Sequence, residues 1–223
     1  MRIAPVLAVA LLPLLGGCQW LPWSAKQPEP APLRLQGELT RSAGELVLQP
    51  CHQQRRLSIT AEDSLGLPYA VARLQQSEQQ PLFVDLAGRL QEDASGEQSR
   101  LRVNRLYRLQ QGAHQGCNDA QFKRLIVRAS GNEPGWAVSV SALGMMLERP
   151  GVEPLALPYV EERLPDGSLS FTSEADGRRV ELWLTPGRCV DSMSGALGHL
   201  QARLQLDRQP PLMGCAALGG ARD

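Results

Sequence analysis

From residue 37 onward, apolar residues come in short runs that alternate with polar ones and stop at Gly, Pro or Asp. A period of two puts successive side chains on opposite faces of a pleated strand, so these runs predict half-buried strands and a mainly β fold. In the amino-terminal half the pattern marks strands at Gly37 to Arg41, Glu45 to Gln49 and Arg56 to Thr60. From Ser64 to Gln76 the alternation lapses and a short helix is expected, with Gly66 and Pro68 confined to its first turn. Two longer runs follow, Leu82 to Leu90 and Leu101 to Leu109. Three strands, a helix and two strands is the element order of an OB-like small barrel.

After residue 119 the chain reads as strand and turn alone, with runs at Arg124 to Ala129, Trp136 to Leu143, Met145 to Arg149, Leu155 to Val160, Leu169 to Thr172, Val180 to Leu184 and Leu200 to Leu206. Asp166-Gly167 and Asp176-Gly177 are dipeptides that supply the positive φ of tight turns, so Leu169 to Leu184 is expected to be a hairpin. The expected fold class is an OB-like barrel at 37–118, then a second antiparallel β-barrel or sandwich at 119–218, with 219–223 as a tail.

Ahead of this body, Met1 and Arg2 precede an apolar run, Ile3 to Leu15, that suits a signal peptide and is too short to span a bilayer. Leu15-Gly16-Gly17-Cys18 then resembles the lipobox of bacterial lipoproteins. The resemblance implies removal of 1–17, diacylglycerol on Cys18 and acyl chains that hold the chain to a lipid bilayer. Gln19, where an Asp is not found, implies the outer membrane, with the protein facing the periplasm. Residues 19–36, with Pro22, Pro28, Pro30 and Pro32 and no periodicity, predict a partly extended tether in which Trp20 and Trp23 rest at the bilayer interface.

Four cysteines remain, Cys51, Cys117, Cys189 and Cys215, in a compartment that oxidises thiols, so two disulfides are expected. Three pairings are possible in principle. Because the sequence on each side of residue 119 reads as a self-contained β unit, Cys51 pairs with Cys117 and Cys189 with Cys215. No metal or cofactor is expected: there is no C-x-x-C, His52 abuts Cys51, and neither His114 nor His199 has a partner at helical spacing. Lys plus Arg and Asp plus Glu are 23 each with no block of like charge, which argues against nucleic acid as a partner.

Two segments lack strand character and are rich in polar and special-backbone residues. They are Ser130 to Trp136, and Gly187 to Gly195 with the closing Met213-Gly214-Cys215-Ala216. Their candidate binding residues are Asn132, Glu133, Trp136, Arg188, Asp191, Ser192, Met193 and Ser194. Each segment admits a plainer reading: Glu133 bonding backbone N–H groups of its own turn, Trp136 capping the barrel, and Asp191, Ser192 and Ser194 shaping turns beside a disulfide. No catalytic residue is assigned, since Ser192 and Ser194 sit in no nucleophile elbow and His199 is the only histidine in this half.

Over Phe122 to Ala217 the segments Gly-x-Glu-Pro-x-Trp, Cys-x-Asp-x-Met-Ser and Gly-Cys-Ala resemble a group of Gram-negative envelope lipoproteins. That group is similar to small β-barrel lipoproteins of the HslJ, NlpE and C-type lysozyme-inhibitor kinds, and Gly37 to Thr60 is similar to the OB-like domain of NlpE-type proteins. The resemblance implies a non-enzymatic lipoprotein that binds a periplasmic protein or a small ligand in envelope maintenance or stress response. The alternative it implies is a lysozyme inhibitor or an envelope hydrolase.

Overall fold

In the computed structural model, which describes residues 31–77, 80–92, 99–175 and 177–222, the alternating runs are strands. Cys18, the signal and the tether as far as residue 30 lie outside the described residues. β1 (Leu33–Ser42), β2 (Glu45–Pro50) and β3 (Leu57–Ala61) form an antiparallel meander; α1 (Leu67–Leu74) follows, then β4 (Leu82–Glu92) and β5 (Ser99–Gln110). β4 returns to pair with β1, β5 pairs with β4, and β5 meets β3 in parallel, which closes a five-stranded barrel in the OB order.

Leu67, Ala70, Val71 and Leu74, at i, i+3, i+4 and i+7, make the buried face of α1 and join the barrel core. The helix is shorter than the expected 64–76. Asp63–Leu65 forms a separate 3-10 turn that ends at left-handed Gly66, and Pro68 then occupies the first turn of α1. β1 begins at Leu33, so the last four residues expected in the tether, 33–36, are strand. Leu35 is buried, and Leu33 to Leu39 pair with Gly88 to Leu82, so backbone pairing and burial together make strand out of residues adjoining Pro32. The short helix α2 (Ala113–Cys117) carries Cys117 back to Cys51, with the sulfurs 2.01 Å apart.

The second half supplies β6 (Leu125–Asn132), β7 (Gly135–Ser141), β8 (Gly144–Arg149), β9 (Val152–Leu157), β10 (Val160–Arg163), β11 (Leu169–Ala175), β12 (Arg178–Val190), β13 (Leu197–Leu206) and β14 (Leu212–Leu218). These form an antiparallel sheet in the order β10-β11-β12-β13-β14-β6-β7-β8-β9, around one core that includes Trp136, Val138, Phe171, Leu182 and Leu204. The hairpin expected over Leu169 to Leu184 is present, β11 pairing antiparallel with β12 and Leu169 lying opposite Leu184. The run expected at 155–160 is two strands, interrupted at Pro158 and Tyr159. β14 has no counterpart among the expected strands. It is sandwiched between β13 and β6, which supply its ladder, and Cys215 in it bonds Cys189, with the sulfurs 1.96 Å apart.

Ala31 to Asp223 is one compact unit with two hydrophobic cores. One edge of β13 is shared: it pairs with β14 over Leu200 to Leu204 and with β5 at Leu197 and Gly198, so β5 and β14 diverge from a fork at His199. Leu197 accordingly packs into the barrel core. Arg34 fastens the halves together from β1. Its guanidinium grips Asp85, 1 % exposed, through Nε–Oδ1 at 2.9 Å and Nη2–Oδ2 at 2.7 Å, and donates to the carbonyls of Leu218, Gly219 and Arg222. The tail is thereby held, with Gly219, Gly220 and Ala221 donating to Ile126, Phe122 and Leu125 carbonyls.

Candidate functional site

β6 and β7 meet in a tight turn, Asn132 opposite Gly135, with a cis peptide between Glu133 and Pro134. β12 is irregular near its end, where the register with β13 shifts between Pro186 and Cys189, and the chain then turns through 191–196 into β13. The sheet brings these two sequence-distant segments together. Asn132 Nδ2 donates to Asp191 Oδ2 at 2.8 Å and lies 3.2 Å from Ser192 Oγ.

Asp191 organises its loop. Its Oδ1 accepts from the Met193 and Ser194 amides at 3.2 and 2.7 Å and from Ser194 Oγ at 2.7 Å, while its backbone pairs with Gly195 and Ala196. Burial raises the Asp191 pKa, and the bonds from Ser194, Asn132 and Met193 together outweigh that, holding the carboxyl below its usual range. The turn-shaping reading of Asp191 and Ser194 therefore describes what these side chains do, with a cross-link to Asn132 that the sequence does not announce. Cys189–Cys215 ties the loop to β14.

Glu133 differs from expectation. It is exposed and, among the described residues, makes no hydrogen bond, so it does not bond the amides of its own turn. Trp136 is 3 % exposed and belongs to the core of the second sheet, and so cannot contact a surface ligand. Its indole explains two glycines of the sequence signature. A Cβ on Gly131 would lie 2.4 Å from Trp136 Nε1, and one on Gly214 would lie 2.8 Å from the indole and 2.0 Å from the Ser130 carbonyl oxygen. Arg188 leaves the irregular part of β12 towards the barrel and donates to the Leu65 carbonyl at 3.3 Å.

An open cleft of about 360 Å³ remains beside the loop, lined by Asn132, Arg188, Asp191, Ser192, Gln201 and Met213 among others. Met193 is 78 % exposed, Met213 62 % and Val190 49 %, so apolar side chains stand out around a polar frame whose own hydrogen bonds are internal. Met213 belongs to the closing segment that stands out in the sequence, but it is not among the expected binding residues, and its strand is not among the expected strands. Its run, from Pro211 to Gly219, is too rich in Gly, Ala and Cys to signal a strand.

His199 stands at the fork and, among the described residues, makes no hydrogen bond to a serine. Its Nδ1–H donates to the Tyr107 carbonyl at 3.0 Å, its ring sits edge-on to Tyr107 at 4.9 Å, and its Nε2 is buried without a partner. Burial pulls its pKa down to about 4; Arg34 and Arg105 add to the lowering, while the Tyr107 bond and Asp85 oppose it. A larger open hollow, about 800 Å³, lies by Cys51–Cys117, where His52 is engaged through Nε2 with the Cys117 carbonyl. Among the described residues no cluster of three or more His, Cys, Asp or Glu could hold a metal, and no helix is long and apolar enough to cross a membrane. The chain matches no family model, no curated protein and no solved structure.

Proposed function

We propose that the chain is a lipoprotein of the outer membrane, anchored through acyl chains on Cys18 and facing the periplasm, that acts by binding a periplasmic protein or small ligand. The anchoring part rests on Leu15-Gly16-Gly17-Cys18 behind a signal-length apolar run. Two disulfides fit an oxidising compartment. The binding part rests on one observation, the Asp191 loop. The Asp191 carboxylate and the Ser194 hydroxyl hold its shape, Val190 and Met213 line an open cleft, and Met193 stands exposed on the loop. Rigid polar framing of exposed methionines suits contact with a partner, because Met side chains adapt to irregular surfaces. Ser194 Oγ donates to Asp191 and has no imidazole to activate it, which supports a role without covalent catalysis.

Two experiments test the parts separately. Cys18→Ala should abolish labelled palmitate incorporation and release the protein from the outer-membrane fraction; a variant that still pellets there after a salt wash defeats the anchoring claim. Wild type and Met193→Glu, used as bait in detergent-solubilised envelopes with and without added lysozyme, should differ in what they retain. Equal capture by both, at equal folding, removes the loop from the binding surface, and retention of lysozyme would favour the inhibitor alternative.

A further inference from the structure

At the fork below the Asp191 loop lies a second, smaller open cavity, about 180 Å³, between β5 and the β14–β6 edge. Arg108 and Gln110 reach it from β5, and Arg128 and Ser130 from β6. Arg108 is half-buried and among the described residues has no ion pair and no hydrogen bond; its guanidinium lies 4.7 Å from the Phe83 ring centroid. A withdrawn arginine is ordinarily paired. The nearby carboxylates are spoken for. Asp85 is held bidentately by Arg34 and also receives Gln36, while Asp119 takes Arg128 at 3.1 Å and the Gln121 amide. Arg34 and Arg128 thus hold the two carboxylates that act on Arg108, and its guanidinium is left at the cavity wall without an ion pair.

Asp191 and Ser194 also border the cavity. The Asp191 carboxylate keeps its charge but is held in its loop by four neutral donors, the Ser194 hydroxyl among them, and makes no ion pair with Arg108. Burial lowers the Arg108 pKa and Asp85 raises it, with Arg128 adding to the lowering. An arriving anion would relieve both the desolvation and the repulsion between the two guanidiniums.

We propose that this fork is a binding site for an oxyanion, a phosphate or carboxylate group at the end of a small ligand, gripped by Arg108 and Arg128 with Ser130 and Gln110 as further donors. The guanidinium fork matches either group bidentately. The cavity has space for roughly six waters at about 30 Å³ each, enough for an anionic head and a few further atoms. The inference rests on the reading of the chain as a binding protein and supplies the chemistry of what it binds.

Calorimetric titration of the full-length protein with inorganic phosphate and, separately, acetate, at an ionic strength held constant with chloride, tests the site. Saturable binding of one of them is expected, and which one it is decides between phosphate and carboxylate. Arg108→Gln should weaken it roughly tenfold or more, whereas Arg178→Gln, at the far end of β12, should leave it unchanged. If Arg108→Gln does not fold, Arg128→Gln carries the same expectation. Absence of saturable binding of either anion by folded wild type, or equal affinity in the arginine variants, overturns the proposal. Anion binding that survives in Met193→Glu while capture is lost, or the reverse, tells this site apart from the exposed loop surface.

Discussion

Acidification should destabilise the fold through His199 at pH values where ordinary carboxylates are still ionised. The folded protein keeps this imidazole neutral: Nδ1–H is spent on the Tyr107 carbonyl, Nε2 is buried without a partner, and a proton added there would face Arg34 and Arg105, with Asp85 already gripped by Arg34. Its folded pKa of about 4 lies below the ordinary 6.5, so between those values the unfolded chain binds the proton and the native state does not. Stability from this group is thus fully present above about pH 6.5 and is lost as pH falls towards 4. At 1.36 kcal/mol per pH unit the gap corresponds to about 3 kcal/mol. Urea denaturation followed by tryptophan fluorescence at pH 7 and pH 4, in wild type and His199→Gln, isolates the effect. The stability difference between the two proteins should shift by about 3 kcal/mol in favour of the variant as pH falls. Parallel wild-type and variant curves across that range would refute the argument, whatever the overall acid sensitivity.

Asp191→Asn should cost about 1–2 kcal/mol in urea denaturation, because it weakens a carboxylate acceptor shared by four donors, while Glu133→Gln should stay within ~0.5 kcal/mol. Asp85→Asn should cost about 3–5 kcal/mol by leaving Arg34 buried without its counter-charge, and amide exchange of β1 and of the tail should quicken together. Gly214→Ala should cost roughly 1–3 kcal/mol or more, since its Cβ would meet the Ser130 carbonyl oxygen at 2.0 Å; a melting temperature equal to wild type would mean that β14 can move away from β6.

Local chemistry made much of the architecture legible. Alternation identified β1 to β8 and β11 to β13, its lapse marked a helix about α1 though not the start at Leu67, and two self-contained halves predicted the disulfides that the fold contains. Pattern failed where burial comes from contact with other strands. Leu33 to Gln36 follow a proline-rich stretch and become strand because β4 offers an edge. The segment 212–218 has little alternation, and its small residues suit a strand squeezed between Trp136, Ser130 and β13.

Spacing along the chain states which residues can be strands, which of their faces is apolar and where tight turns fall, and four cysteines shared between two self-contained halves state the two bridges. The tertiary arrangement alone makes β13 divide its edge between β5 and β14, bonds Asn132 to Asp191, and leaves the half-buried Arg108 beside two carboxylates that Arg34 and Arg128 already hold. A two-residue period states which way a side chain faces. Which strand lies alongside, and hence which charge lies opposite, is set by pairings between residues as distant as Leu109 and Leu197, 88 positions apart, and the local pattern carries no record of them.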